Sequence, residues 1–149
     1  MAKKDVIIGL GEIGLPLFNL ISKFTIAEGY DIKPELRNKP KFSQYENLDV
    51  LFLHICIPFS KNFFREIYSL YKKYHPQAIV IHSTVSPYTT KNLQKKLPIP
   101  VIYSATRGIH KRMLSDLKRY TKFYAIEAKA PRAKWASSAF SLLMKKCGI

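Results

Sequence analysis

The sequence predicts an α/β domain built on a doubly wound, mostly parallel sheet. Three observations predict it. Apolar runs with strand character alternate along the whole chain with segments of helical spacing. The longest run, Leu48–Pro58 (LDVLFLHICIP), is apolar on both faces, as a strand covered by helices on both sides must be. Three of the six glycines crowd into positions 9 to 14, directly after the first apolar run, where such a sheet turns its first strand into its first helix.

Each element follows in order. DVIIG (Asp5–Gly9) reads as a short buried strand, and apolar residues recur at helical spacing from Ile13 to Phe24. TIAEGYD (Thr25–Asp31) is a second strand, ending on a carboxylate. Residues 32–47 hold two prolines and many polar groups, so a short helical turn plus loop is expected there. After the central strand, Lys61–His75 sets Phe64, Ile67, Leu70 and Tyr71 on one face with lysines opposite, an amphipathic helix. Then come strand AIVIH (Ala78–His82), a helix over Thr89–Lys96, strand PVIY (Pro100–Tyr103) and the helical stretch 109–120. Strand KFYAIEA (122–128) and helix 131–147 complete the chain, with Pro131 suited to that helix's first turn. No repeat or low-complexity linker interrupts the pattern.

At 149 residues and 47% hydrophobic, the chain suits a single domain, 1–149, that buries its core without disulfides or metal. No apolar stretch reaches the roughly 20 residues that span a bilayer, and the charged start leads straight into a strand, so a soluble, cytoplasmic protein is expected. Cys56 and Cys147 form no CxxC pair or disulfide framework and read as structural thiols. His54, His75, His82 and His110 lack metal-ligand spacing, and a core or surface role is expected for each. Trp135, Phe140, Leu143 and Met144 fall at helical spacing and read as packing.

The net charge of +15 is uneven, with +9 of it in residues 105–149. Such a balance favours polyanions or phosphate-bearing small molecules, and also fits a surface of solvated lysines. Arg107, Lys111, Arg112, Lys118, Arg119 and Lys122 interleave with Tyr120 and Phe123, a combination able to grip single-stranded nucleic acid. No nucleic-acid motif accompanies them, so nucleic acid is not the expected partner.

Gly9-Leu10-Gly11-Glu12-Ile13-Gly14 matches GxGxxG, a weak pattern alone, but here it closes a strand and opens a helix. In that Rossmann-type setting the first glycine makes the turn, the second admits a pyrophosphate to the backbone N–H groups, and the third allows close helix–strand packing. The helix N-terminus adds partial positive charge. Asp31, closing the second strand, suits the adenosine ribose, and its charge would repel a 2′-phosphate, so NAD is expected over NADP. A tight turn that binds nothing is the plain alternative. Glu12 opposes an anion unless its side chain turns to solvent.

These residues resemble the nucleotide-sugar 6-dehydrogenases, such as UDP-glucose and GDP-mannose dehydrogenases. GLGEIGLPL (Gly9–Leu17) is similar to that family's GLGYVGLPL, DVLFLHICIP (Asp49–Pro58) to ADVVFICVPTP, and HSTVSPYTT (His82–Thr90) to ESTVPPGTT. The match covers most of residues 5–104. It implies an NAD-binding domain of an oxidoreductase that converts the primary alcohol of a UDP- or GDP-sugar to the acid, using two NAD per turnover. It implies further that the pyrophosphate sits on Gly11 to Ile13 and the ribose on Asp31, and that Cys56, Ile57 and Pro58 line the cofactor cleft. Ser83 and Thr84 match the pair near the nicotinamide, where Thr84 would orient a catalytic water; an N-cap or turn role before Pro87 is equally open for it.

Where the family carries SPER, this chain reads Ser104-Ala105-Thr106-Arg107, without the glutamate. His82 replaces an acid, and Tyr88 replaces a glycine. The family's nucleophilic cysteine, its lysine and its asparagine belong to a central helix and substrate domain that the resemblance does not find here, and Cys147 lacks the nucleophile's motif. The chain is therefore expected to be inactive alone, with NAD as cofactor. A nucleotide sugar is the further expected ligand, together with a missing domain or partner subunit; a homodimer is admitted, and no membrane. The alternatives are an NAD-binding sensor or partner-subunit module, and the cofactor domain of a β-hydroxyacid or prephenate-type dehydrogenase.

Overall fold

The computed structural model describes residues 1–37 and 45–149. Among them, β1 (Lys4–Ile8), β2 (Ile26–Tyr30), β3 (Val50–Ile55), β4 (Ala78–Ile81), β5 (Val101–Tyr103) and β6 (Ala125–Ile126) form one sheet in the order β2-β1-β3-β4-β5-β6. All neighbours pair in parallel except β6, which runs antiparallel beside β5. The helices are α1 (Gly14–Ile21), α2 (Phe63–Tyr74), α3 (Thr89–Lys96), α4 (Met113–Arg119) and α5 (Ala133–Lys146).

Helices cover both faces, which makes the domain the doubly wound, Rossmann-type fold that the sequence predicts. On one face Leu17, Leu20 and Ile21 of α1, Leu117 of α4 and Phe140 and Leu143 of α5 pack on Phe52, Val80 and Ile102. On the other, Phe63 and Ile67 of α2 and Leu93 of α3 pack on Val6, Ile55, Ile81 and Val101. Burial of each such large apolar side chain contributes about 1.5–3 kcal/mol.

The strand order places a crevice. From β1 the chain steps outward to β2, then crosses back to lay β3 on the other side of β1, so the direction of winding reverses between β1 and β3. The helix leaving β1 goes to one face and the helix leaving β3 to the other. The carboxyl ends of β1 and β3 therefore open into a cleft, the usual ligand position in such sheets.

A bulge near the amino end of β3 is held by a buried acid. Two β3 residues lie between the partners of Lys4 and Val6, where β1 has only Asp5. The Asp5 carboxylate accepts the Phe52 N–H at 3.1 Å and the Thr25 hydroxyl at 3.1 Å. Burial raises its pKa to about 6 despite both hydrogen bonds.

Several expected boundaries contract. The first helix ends at Ile21, and Phe24 and Thr25 donate back to the Ile21 carbonyl in a closing turn. Of the loop expected over 32–47, the described part holds a 3-10 turn at Pro34–Leu36, and 38–44 lie outside the described residues. The helix expected over 109–120 splits into a 3-10 turn at His110–Arg112 and α4, because the Asp116 side chain takes the Ile109 N–H. Pro131 lies before α5 and not in its first turn: Arg132, at φ +52°, intervenes as the N-cap. No helix among the described residues is long and apolar enough to cross a membrane.

Candidate functional site

The six-residue glycine turn lies at the carboxyl end of β1, and its three glycines have three different reasons. Gly9 has φ +88°, and a Cβ there would stand 3.0 Å from the Cys56 carbonyl carbon and oxygen. A Cβ on Gly14 would overlap the Gly9 carbonyl oxygen, so the turn can close onto α1 only with glycine. Gly11 differs from both. Its φ does not favour glycine, and nothing lies within 4 Å of the Cβ it lacks. The fold has no need of a glycine at 11, and the space over it is open.

The turn ends in an uncapped helix. Ile13 offers no side-chain acceptor to the first turn of α1, while Leu15 and Leu17 already bond back to the Gly11 and Ile13 carbonyls. The remaining N-terminal N–H groups carry the positive end of the helix dipole toward the cleft. The Glu12 side chain turns to solvent, its Oε1 lying 3.3 Å from His110 Nδ1 with both groups well exposed. That orientation removes the obstacle Glu12 posed to an anion on the turn.

Asp31 joins the same structure. Its Oδ2 accepts the Leu10 N–H at 2.8 Å and its Oδ1 the Lys33 N–H at 2.9 Å. Gly9 donates to the Tyr30 carbonyl at 2.8 Å, and Arg37 Nε donates to the Asp31 carbonyl at 2.8 Å while its guanidinium lies 4.7 Å from the Tyr30 ring centroid. A carboxylate has about four acceptor positions, so two N–H donors leave capacity for hydroxyls. The exposed Ile32 follows directly.

Cys56, Ile57 and Pro58 form the opposite wall. Cys56 donates its N–H to the Ile8 carbonyl at 2.8 Å, which locks the end of β3 to the end of β1. Burial pushes the Cys56 thiol up to about 12, so it is a neutral packing group. Buried Ser83 donates its hydroxyl to the Ile57 carbonyl and ties the end of β4 to this wall. Thr84, next in the chain, is exposed beyond the strand end. The structure thus brings Gly9 to Gly14, Asp31 and Cys56 to Pro58 to one cleft, with Ser83 and Thr84 at its β4 margin.

The residues past β5 differ from the sequence expectation in one respect. Lys122, counted there among surface cations, turns inward and donates from Nζ to the Ser104 carbonyl at 2.9 Å and Thr106 Oγ1 at 3.0 Å. Ser104 Oγ in turn donates to the Phe123 carbonyl at 2.8 Å, and Thr106 N–H to the His82 carbonyl at 3.1 Å. The loop holding Ser104-Ala105-Thr106-Arg107 is therefore laced to β4 and to the approach to β6. Lys122 is a positioning residue that spacing in the sequence did not reveal.

His54 and His82 are wholly buried and face each other, His54 Nδ1 to His82 Nε2 at 2.9 Å with rings stacked at 26°. His54 Nε2 and His82 Nδ1 have no hydrogen-bond partner. Burial holds the His54 pKa down to about 3 and His82 well below the usual value, so both rings are neutral. Among the described residues no group of three His, Cys, Asp or Glu side chains could hold a metal. Tyr88, which stands where the resembled motif has glycine, adopts φ +65° ahead of α3. Cys147 is buried at the end of α5 with its thiol pushed up to about 11, and Trp135 stacks on Phe52.

No protein-family model matches the chain, and no curated protein matches it in sequence. Its fold is similar to solved structures of larger dehydrogenases. The native structure of the UDP-N-acetyl-mannosamine dehydrogenase Cap5O from Staphylococcus aureus matches with TM-score 0.65 and 16% identity, over 97% of this chain and 45% of that one. A derivative structure of the same enzyme matches with TM-score 0.64 and 14% identity, over 97% and 44%. The NDP-N-acetyl-D-galactosaminuronic acid dehydrogenase from Methanosarcina mazei Go1 matches with TM-score 0.61 and 18% identity, over 95% and 42%. The chain spans less than half the length of these proteins. At such identity the likeness establishes the fold.

Proposed function

We propose that this chain is an NAD-binding domain of the nucleotide-sugar dehydrogenase type. Gly11 carries the reading: it is a glycine that neither backbone strain nor packing requires, under open space and beside uncapped N–H groups. A pyrophosphate along Gly11 to Ile13 gives that glycine its reason. Asp31, already joined to the Leu10 N–H, takes the adenosine ribose and excludes a 2′-phosphate by charge. Cys56, Ile57 and Pro58 wall the cleft. The nicotinamide end falls near Ser83 and the exposed Thr84, whose hydroxyl suits the orientation of a water. When bound, NAD supplies the hydride acceptor.

The nucleotide sugar is the proposed substrate class, on the similarity of fold to enzymes named for such substrates; it would be met with a further domain or a partner subunit, in a homodimer or otherwise. The two free thiols suit the reducing cytoplasm. Thr106 stands in place of the acid that the resemblance assigns to the chemistry. This favours a second reading, in which the domain binds NAD as a sensor or partner module and is inactive alone.

Calorimetric titration with NAD and NADP at moderate salt tests the proposal. Saturable NAD binding that exceeds NADP binding, with the preference shrinking in Asp31→Ala, supports it. A folded protein that binds neither refutes it.

A further inference from the structure

Lys122 is a partly buried cation without an anion. Its two hydrogen-bond acceptors, the Ser104 carbonyl and Thr106 Oγ1, are neutral oxygens, and none of the ion pairs among the described residues includes it. Lys4, the other lysine drawn into the fold, has the Glu28 carboxylate at 2.8 Å. Burial lowers the Lys122 pKa to about 8, so the ammonium still carries its charge at neutral pH. A buried charge left uncompensated is costly, and an incoming anion offsets that cost.

Lys122 lines a hollow of about 270 Å³ between α4 and β6, together with Arg107, Tyr120, Phe123 and Tyr124. Arg107 is exposed, 6.0 Å from the Tyr120 ring centroid, and Arg119 lies 5.8 Å from the same ring. Phe123 is 71% exposed, a large aromatic surface left beside the opening. The one carboxylate at the hollow, Asp116, is already engaged by the Ile109 N–H at 2.8 Å and Arg112 Nε at 3.2 Å, contacts that hold its pKa down. Two cations, aromatic walls and no unengaged negative charge meet in one concavity. Its volume lies just below the roughly 300–1,000 Å³ of ordinary small-molecule sites, so it admits one ring system and not a dinucleotide. None of the residues lining this hollow belongs to the glycine turn, to Asp31 or to the Cys56–Pro58 wall.

We propose that the hollow between α4 and β6 is a second ligand site, for a small organic anion whose phosphate or carboxylate head pairs with Lys122 and Arg107 while its aromatic body stacks on Tyr120 and Phe123. The site stands independently of the cofactor reading. Calorimetric titration of the whole chain with phenyl phosphate, benzoate and inorganic phosphate tests it. Phenyl phosphate or benzoate binds saturably, the tighter of the two identifying the head, and inorganic phosphate binds at least tenfold more weakly. Phe123→Ala and Arg107→Ala, both exposed positions, and Lys122→Met each weaken the ring-bearing probe at least tenfold, whereas Asp31→Ala leaves it unchanged. The proposal is overturned if neither ring-bearing probe binds the folded protein. It is equally overturned if both bind no better than inorganic phosphate and are indifferent to Phe123→Ala and Arg107→Ala, the behaviour of diffuse attraction to a basic surface.

Discussion

The Leu10 N–H donates to the Asp31 carboxylate at 2.8 Å, joining two residues 21 positions apart across the mouth of the cleft. The contact holds the glycine turn and the carboxylate proposed to take the ribose as one unit. Such preorganisation reduces the ordering cost of binding.

Asp31→Asn keeps one oxygen acceptor, for Leu10, gives up the one that Lys33 uses and loses the charge, so it costs less stability than loss of both contacts and the discrimination against NADP shrinks. Asp31→Ala loses the acceptor too and lowers stability by about 1–2 kcal/mol. Chemical denaturation of the two variants separates the effects: equal stability losses would contradict the assigned contact.

Gly14→Ala forces a methyl group into the Gly9 carbonyl oxygen, backbone against backbone, where no side chain can yield. Destabilisation of about 3 kcal/mol or more is expected. A variant that melts like the parent would show that the turn is looser than described.

Tyr88→Gly relieves a left-handed backbone, φ +65°, at a position 74% exposed, where little packing is lost. The gain is about 1 kcal/mol, from the roughly 1–2 kcal/mol cost of this conformation less the extra entropy of an unfolded glycine. A lower melting temperature in the variant would contradict it.

The buried histidine pair makes the fold acid-sensitive. Both folded-state pKa values lie below the ordinary 6.5, that of His54 at about 3, so between those limits the unfolded chain binds protons that the folded one refuses. The stability contribution is whole above pH 6.5 and is lost as pH falls toward 3. Asp5 acts in the opposite sense: its folded pKa of about 6 against 3.8 unfolded makes its contribution grow as pH falls from 6 to 3.8. Two imidazoles outweigh one carboxyl, so the melting temperature drops on acidification. The double variant His54→Leu/His82→Leu flattens that profile, because both partners leave together and no ring nitrogen stays unpaired; an unchanged slope would exclude the pair as its source.

The glycine turn and β3 were legible in the sequence because each is dictated locally, the turn by glycine spacing and the strand by continuous apolar residues. The left-handed backbone at Tyr88 was not read from the sequence, which showed only that a tyrosine stands where the resembled motif has glycine. Nor was the histidine pair. His54 pairs in register with Val80, and His82 lies two residues further on the same face, a meeting that only strand register creates. The last strand was overread, since KFYAIEA has the right composition for seven residues of strand but only Ala125–Ile126 pair. The residues before it are held by side-chain bonds, Lys122 to Ser104 and Thr106 and Ser104 to the Phe123 carbonyl. Lys122 itself read as a solvated cation, because inward rotation of one lysine leaves no trace in composition or periodicity.

Gly11→Ala tests the central claim most directly, through its thermal melt and an NAD titration beside those of the parent. The account predicts a melting temperature equal to the parent's or slightly higher, since nothing in the fold meets the added methyl and the unfolded chain loses a glycine's freedom, and NAD binding weakened at least tenfold, since the methyl occupies the approach of the pyrophosphate. A variant that binds NAD as the parent does would contradict the account and leave the glycine turn a feature of the fold alone.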